Sequence, residues 1–215
     1  MEEMSAFFAA RVEGYDAHML QDVEGCREGY AALAEALPQG ARDVLDLGCG
    51  TGLELDALFA RQPDLRVTGI DLTQAMLDVL RAKHPVRALR LICADYFAVD
   101  FGRAAFDAAV SFESLHHFPA ERKRALYRRV CEALRPGGVF LLGDYMVETE
   151  AEAEDLARRA AQLRAEAGTP DAAIVHLDTP LTVETEKALL LQAGFSEAAC
   201  LLRKGNTTLL RAQRA

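Results

Sequence analysis

Residues 43–52 read Asp43-Val44-Leu45-Asp46-Leu47-Gly48-Cys49-Gly50-Thr51-Gly52. Five largely apolar residues run into three glycines at alternate positions, the pattern of a buried strand that turns sharply into a helix. Leu55, Leu58 and Phe59 then supply the apolar face of that helix. In an open α/β sheet, ligands bind beyond the carboxyl ends of the strands, so Gly48, Gly50 and Gly52 mark the expected site.

Outward from this turn the alternation repeats. Strands are predicted at 66–71, 89–94, 106–112 and 139–143, with helices at 74–83 and 119–134 between them; Pro136-Gly137-Gly138 closes the second helix. Strands alternating with helices predict a parallel sheet covered on both faces. Before the first strand, Cys26, Tyr30, Leu33 and Leu37 share one helical face, stopped by Pro38-Gln39-Gly40. After the fifth strand, residues 148–168 are rich in Ala, Glu, Arg and Leu and predict a surface helix. Thr182 is a candidate cap for a helix ending at Ala193-Gly194. Apolar stretches at 198–202 and 207–210 then predict a hairpin turning at Lys204-Gly205-Asn206. No repeat or linker interrupts the chain, so one domain is expected. Its parts are an N-terminal helical segment expected to act as a lid (1–40), a ligand-binding core (41–145), a helical insertion beside the site (146–180) and a closing helix and hairpin (181–215).

The 215 residues suit one α/β domain, and 51% apolar with 27% charged residues is a globular composition. No apolar run is long enough to cross a membrane. The acidic N-terminus lacks the basic start of a signal peptide, so a cytoplasmic location is expected. A net charge of −9 opposes binding to nucleic acid. Arg122, Lys123, Arg124, Arg128 and Arg129 are therefore read as one solvated helix face. The five cysteines have neither CxxC nor cysteine–histidine spacing, and the histidines and acids share no ligand spacing, so no metal is expected.

The glycine spacing is GxGxG, not the GxGxxG of dinucleotide loops, and no lysine follows it as in a phosphate loop. Asp46, two residues ahead of the first glycine, would repel a phosphate and suit an ammonium group. Asp71 ends the second strand nineteen residues past Gly52, where an acid accepts from ribose hydroxyls. Asp95-Tyr96 follows the third strand, where an acid can accept from an adenine amino group. Together these residues describe a pocket for a nucleoside with a cationic tail.

The segments VLDLGCGTG (44–52), VTGIDLTQAML (67–77), CADYF (93–97), FDAAVSFESLHHF (106–118) and LRPGGVFLLGDY (134–145) resemble, in order, the motifs of class I S-adenosylmethionine-dependent methyltransferases. The resemblance implies a Rossmann-like seven-stranded sheet of order 3-2-1-4-5-7-6 with its last strand antiparallel, and S-adenosylmethionine as cofactor with S-adenosylhomocysteine as product. It implies that Gly48, Cys49, Gly50 and Gly52 underlie the methionine portion with Asp46 nearby, that Asp71 holds the ribose, and that Leu72 and Met76 lie against adenine. It further implies that Asp95 and Tyr96 flank adenine, that Ser111, Phe112 and Glu113 floor the sulfonium end, and that a lid carrying Tyr15 folds over it.

Methyl transfer needs alignment and dryness more than a dedicated catalyst, and a base only where the acceptor must lose a proton. His117 and His116, just after the fourth strand, are the candidates for that base. His18, Tyr145 and His176 are candidates for acceptor contact from the lid, the fifth strand and the later loop. The segment 148–168 is expected to roof the acceptor. The expected partner is a small-molecule acceptor. The competing readings are a cofactor-binding subunit without catalysis and a tRNA-modifying enzyme.

Overall fold

The computed structural model describes residues 2–170 and 173–215. The N-terminal segment holds α1 (Met4–Ala9), a single 3-10 turn, α2 (Tyr15–Gln21) and α3 (Cys26–Ala36). Then follow β1 (Asp43–Leu47), α4 (Leu53–Arg61), β2 (Arg66–Asp71), α5 (Gln74–Lys83), β3 (Ala88–Cys93), β4 (Phe106–Phe112), α6 (Ala120–Ala133) and β5 (Leu134–Tyr145). The chain closes with α7 (Glu150–Glu166), α8 (Val183–Gln192), β6 (Phe195–Lys204) and β7 (Thr207–Arg214). Among the described residues no helix is long and apolar enough to cross a membrane.

The seven strands lie in the order β3-β2-β1-β4-β5-β7-β6, parallel except for β7, which runs antiparallel to both neighbours. Strand alternation divides the core into two layers. Val44, Val67, Val110 and Leu141 face one side with α3, α4 and α5; Leu45, Leu47, Phe140 and Leu142 face the other with α6 and α8. β1 is buried on both faces, which explains why its sequence is an apolar run and not an alternating one.

Three expectations are corrected. The predicted helical face of Cys26, Tyr30, Leu33 and Leu37 is buried, but it packs beside α4, so only α1 and α2 of residues 1–40 remain free to cover the site. Pro136-Gly137-Gly138 does not stop α6, which ends at Ala133; these residues lie within β5. Nor is the basic face of α6 uniformly solvated. Lys123 is fully buried and pairs with Glu186 of α8, whose other oxygen accepts from Tyr127 Oη at 2.7 Å. Arg129 donates to the Phe97 carbonyl at 2.7 Å, which fixes the loop after β3. Sequence periodicity could not reveal Glu186 as the partner because it arrives from a distant helix. Thr182 does cap α8, its hydroxyl accepting from Thr185 N at 3.2 Å.

Candidate active site

The carboxyl ends of β1, β2 and β4 converge on a cleft lined by Gly48, Gly50, Asp71, Leu72, Thr73, Met76, Tyr96, Glu113, Ser114 and His117. Gly48 has φ +75°, and a Cβ there would stand 2.1 Å from Ser114 Oγ, so only glycine suits the turn. Its N–H donates to the Ile70 carbonyl at 2.8 Å, which pins the loop to β2. Asp71 completes the link: one carboxylate oxygen accepts from Gly50 N at 2.9 Å and the other from Thr73 N at 2.8 Å. Each oxygen keeps a lone pair for a hydroxyl donor.

Behind the glycine loop, Asp46 is wholly buried and neither carboxylate oxygen has a hydrogen-bond partner; Glu54 Oε1 is likewise unpartnered. Burial, and then repulsion from Glu54, pushes the Asp46 carboxyl well up. Burial raises Glu54 to about 7, against the opposing pull of the adjacent Asp46 carboxyl. Two dry carboxyls with vacant lone pairs suit a cationic ligand group. The donor set thus fits a nucleoside with an ammonium-bearing tail.

Met4, Phe8 and Tyr15 of the N-terminal segment close this cleft, leaving a cavity of about 40 Å³. That is room for about one water molecule, so this segment must withdraw before a nucleoside enters. Asp16 latches it, accepting from Thr51 Oγ1 at 2.5 Å and Lys83 Nζ at 3.2 Å. A second latch is Met4 N donating to the Ile174 carbonyl at 3.1 Å.

Beyond Tyr15 and Phe8 lies a larger cavity of about 620 Å³. Phe7, Met19 and Val23 form its apolar side, and Glu113, His116, His117, His176 and Asp178 its polar side. Phe8, Tyr15, Glu113 and His117 border both spaces. Glu113 is one of two non-glycine residues described with positive φ, at +49°. Such strain persists only where neighbours enforce it, and here Glu113 N donates to the Gly143 carbonyl at 2.8 Å while Thr207 Oγ1 donates to its carboxylate at 3.2 Å. Burial raises its carboxyl to about 7, although the nearby His116 pulls the other way.

His116 Nδ1 lies 2.7 Å from Asp144 Oδ1, a fully buried carboxylate on β5. Burial opposes charge on this ring, but Asp144, Glu113 and Asp178 together raise its pKa. His117 behaves oppositely: burial, and then the neighbouring His116, lower it to about 4.

The remaining candidate residues divide cleanly. Leu72, Met76, Tyr96 and Tyr15 line the cleft. Cys49 is buried beneath the loop against Gly69 and presents no thiol to the cleft. Ser111 turns into the sheet and donates to the Leu47 carbonyl at 2.8 Å. Phe112 packs on Tyr30 with ring centroids 4.3 Å apart, in a slot between Gly29 and Gly143 where any Cβ would strike its ring. Of the Ser111, Phe112 and Glu113 run, only Glu113 therefore reaches the cleft, and Ser114 joins it. Asp95 spends one oxygen on a turn to Phe97 N at 2.8 Å and lies outside the cleft lining.

His18 and His176 line the larger cavity; His18 is exposed there beside Asp22, and His176 stacks on Phe7 at 3.7 Å. Tyr145 stands behind His116, ring centroids 5.8 Å apart, and not in the cavity wall. Nor does α7 roof that cavity. Ala153, Ala157 and Ala160 line a separate space of about 550 Å³ on the far side of His117. The cover comes instead from 176–178, and nothing in the sequence around Asp178 signals it. Phe7-Phe8 was the one sequence signal for the apolar wall, an aromatic pair near an otherwise polar N-terminus.

A mostly parallel sheet in this order, with a GxGxG turn bonded to the acid ending β2, is the arrangement that the resemblance to class I S-adenosylmethionine-dependent methyltransferases implies. Residues 44–138 match the family described as Methyltransferase domain. It is 33% identical over 111 residues to the O-methyltransferase cnsE of Penicillium expansum, a match covering 50% of this chain and 39% of that protein. It is 28% identical over 186 residues to the carboxy-S-adenosyl-L-methionine synthase of Campylobacter concisus, covering 81% and 77%. An O-methyltransferase family protein of Burkholderia thailandensis shares the fold at a TM-score of 0.72 and 20% identity, covering 99% of this chain and 63% of that one.

Proposed function

We propose that this protein methylates a protic group on a small, largely apolar acceptor held in the cavity between α1–α2 and residues 113–117 and 176–178. The observation that carries this reading is the seam at Glu113, where the cofactor cleft and the roughly 620 Å³ cavity meet. Bound S-adenosylmethionine would supply a methyl group already activated by its sulfonium, so the protein's task is placement and proton removal. Phe7, Phe8, Tyr15 and Met19 offer the acceptor body an apolar wall and keep water out.

Glu113 is the group placed to accept the acceptor's proton. Its carboxyl near 7 matches a general base working at neutral pH, whereas His117, held near 4, is a weak one. Asp71 would bind the ribose, and Asp46 with Glu54 the cationic tail. A small acceptor is favoured over tRNA by the net charge of −9.

The test is S-adenosylhomocysteine formation from S-adenosylmethionine with a panel of phenols, carboxylic acids and amines. Turnover of at least one acceptor supports the reading. Cofactor binding with no turnover across the panel would favour a binding subunit without catalysis.

A further inference from the structure

Two groups of potential ligand atoms occur together among the described residues: Glu113 with His116 and Asp144, and His116 with His117 and Asp178. They share His116 but present opposite edges of its ring. On the Nδ1 edge, Asp144 Oδ1 already sits at 2.7 Å, the distance of a direct hydrogen bond, and Asp144 is sealed inside the sheet. On the Nε2 edge, Asp178 Oδ1 lies 3.7 Å away and 3.0 Å from His117 Nδ1. Ligand atoms of a tetrahedral site with bonds of about 2.0–2.1 Å stand about 3.3 Å apart, so these separations bracket that edge length.

Two further observations point to a ligand here. His117 Nδ1 is buried without a hydrogen-bond partner, although Asp178 Oδ1 lies 3.0 Å away. A buried ring nitrogen left in that state is costly and calls for a partner. In addition, Asp144 holds His116 as a carboxylate holds a metal-bound imidazole: with its proton on Nδ1, the ring turns the Nε2 lone pair outward. The third group is also fixed in place. Thr179 donates both N–H, at 2.7 Å, and Oγ1, at 3.2 Å, to the His116 carbonyl, which clamps the neighbouring Asp178 over the two rings.

We infer that His116 Nε2, His117 Nδ1 and the Asp178 carboxylate form a binding site for a divalent transition-metal ion that faces the acceptor cavity. Two imidazoles and one carboxylate select a borderline ion such as Zn²⁺, Co²⁺ or Fe²⁺ over Mg²⁺ or Ca²⁺. All three residues line the large cavity, so the remaining coordination positions open toward the acceptor. An acceptor oxygen bound there would be polarised and held beside Glu113. Asp178 is partly exposed, which gives the ion a route in. The spacing is invisible in sequence because the third ligand follows α7 and is brought in only by folding. This inference rests on the same acceptor cavity as the proposed methyl transfer, but its test does not need an acceptor.

Chelator-treated protein would be titrated with Co²⁺ alone, following visible absorbance and metal content per chain, with S-adenosylhomocysteine binding measured in parallel. The expected result is one Co²⁺ per chain, displaced by Zn²⁺. Affinity should fall at least tenfold in His117→Ala and in Asp178→Asn and remain unchanged in His18→Ala, which removes an exposed histidine of the same cavity. Far-UV circular dichroism and a urea midpoint matching the wild type show that these variants fold. Absence of stoichiometric Co²⁺ binding by the wild type, or equal binding by Asp178→Asn, overturns the metal site. Acceptor methylation persisting in chelator would then leave the methyl-transfer reading intact. Co²⁺ binding without methylation of any acceptor would sink that reading alone.

Discussion

The proposed cofactor cleft and acceptor cavity adjoin, but they are built differently. The cleft draws mainly on residues 48–96 in chain order, joined by Glu113 and Ser114 after β4: strands deliver their groups at their carboxyl ends, and backbone N–H groups hold Asp71 in place. The cavity is assembled from three separated pieces, α1–α2, the loop 113–117 and the segment 176–178, through side chains. A site made of strand ends inherits its geometry from the sheet. One made of loops depends on latches such as Asp16 with Thr51 and Thr179 with His116. Chemistry can therefore vary at the acceptor end while the cofactor end stays constant.

If the two regions are separable, variants in one should leave the other intact. The largest effect is expected for Glu113→Gln, which keeps the shape but cannot take up the acceptor's proton. Turnover should fall about 10²–10⁴-fold, while S-adenosylhomocysteine affinity by calorimetry changes little. Loss of both together would show that Glu113 also binds the cofactor and would blur the division.

Next comes Asp71→Ala, which removes the acceptor of Gly50 N and Thr73 N as well as the expected ribose contacts. Cofactor affinity should fall by about 2–4 kcal/mol. Undiminished affinity would strip Asp71 of its assignment.

Gly48→Ala tests how tightly the halves are joined, since its Cβ would strike Ser114 Oγ at 2.1 Å in a left-handed turn. A stability loss of about 1–3 kcal/mol in urea unfolding is expected, and a shift of the 113–117 loop should also slow turnover. A neutral result would show that the loops accommodate each other.

The smallest effect is a pH dependence. Burial raises Glu54 from 4.5 to about 7 and also raises Asp46, so the folded protein holds protons that the unfolded chain has released across that window. Their contribution to stability is present below about 4.5 and is lost as pH rises through about 7. An ammonium group bound beside them favours the ionised form, so binding expels a proton. Cofactor affinity should then rise between pH 6 and 8, by at most about tenfold per pH unit for one proton. Glu54→Gln should flatten this rise, and a rise that persists in the variant would assign it elsewhere.

The amino-acid sequence by itself determined the parallel core, the glycine turn, the acid ending β2 and the closing hairpin. These rest on local rules: two-residue alternation, helical spacing and the glycines a tight turn demands. The places of Asp71 and Tyr96 beside the cleft were legible because a strand end fixes a residue's position along the chain, whereas Asp46 is buried behind the cleft wall. Tertiary structure alone decided which neighbours of those residues face the cleft. Ser111 and Phe112 turned inward because Leu47 offered a carbonyl and two glycines a slot for a ring. Lys123 went from an expected surface to the core because Glu186 met it there. Asp178 came over His116 and His117 through a loop whose own sequence carries no periodic signal. Contacts between segments far apart in the chain depend on how whole elements pack, and no local pattern encodes that.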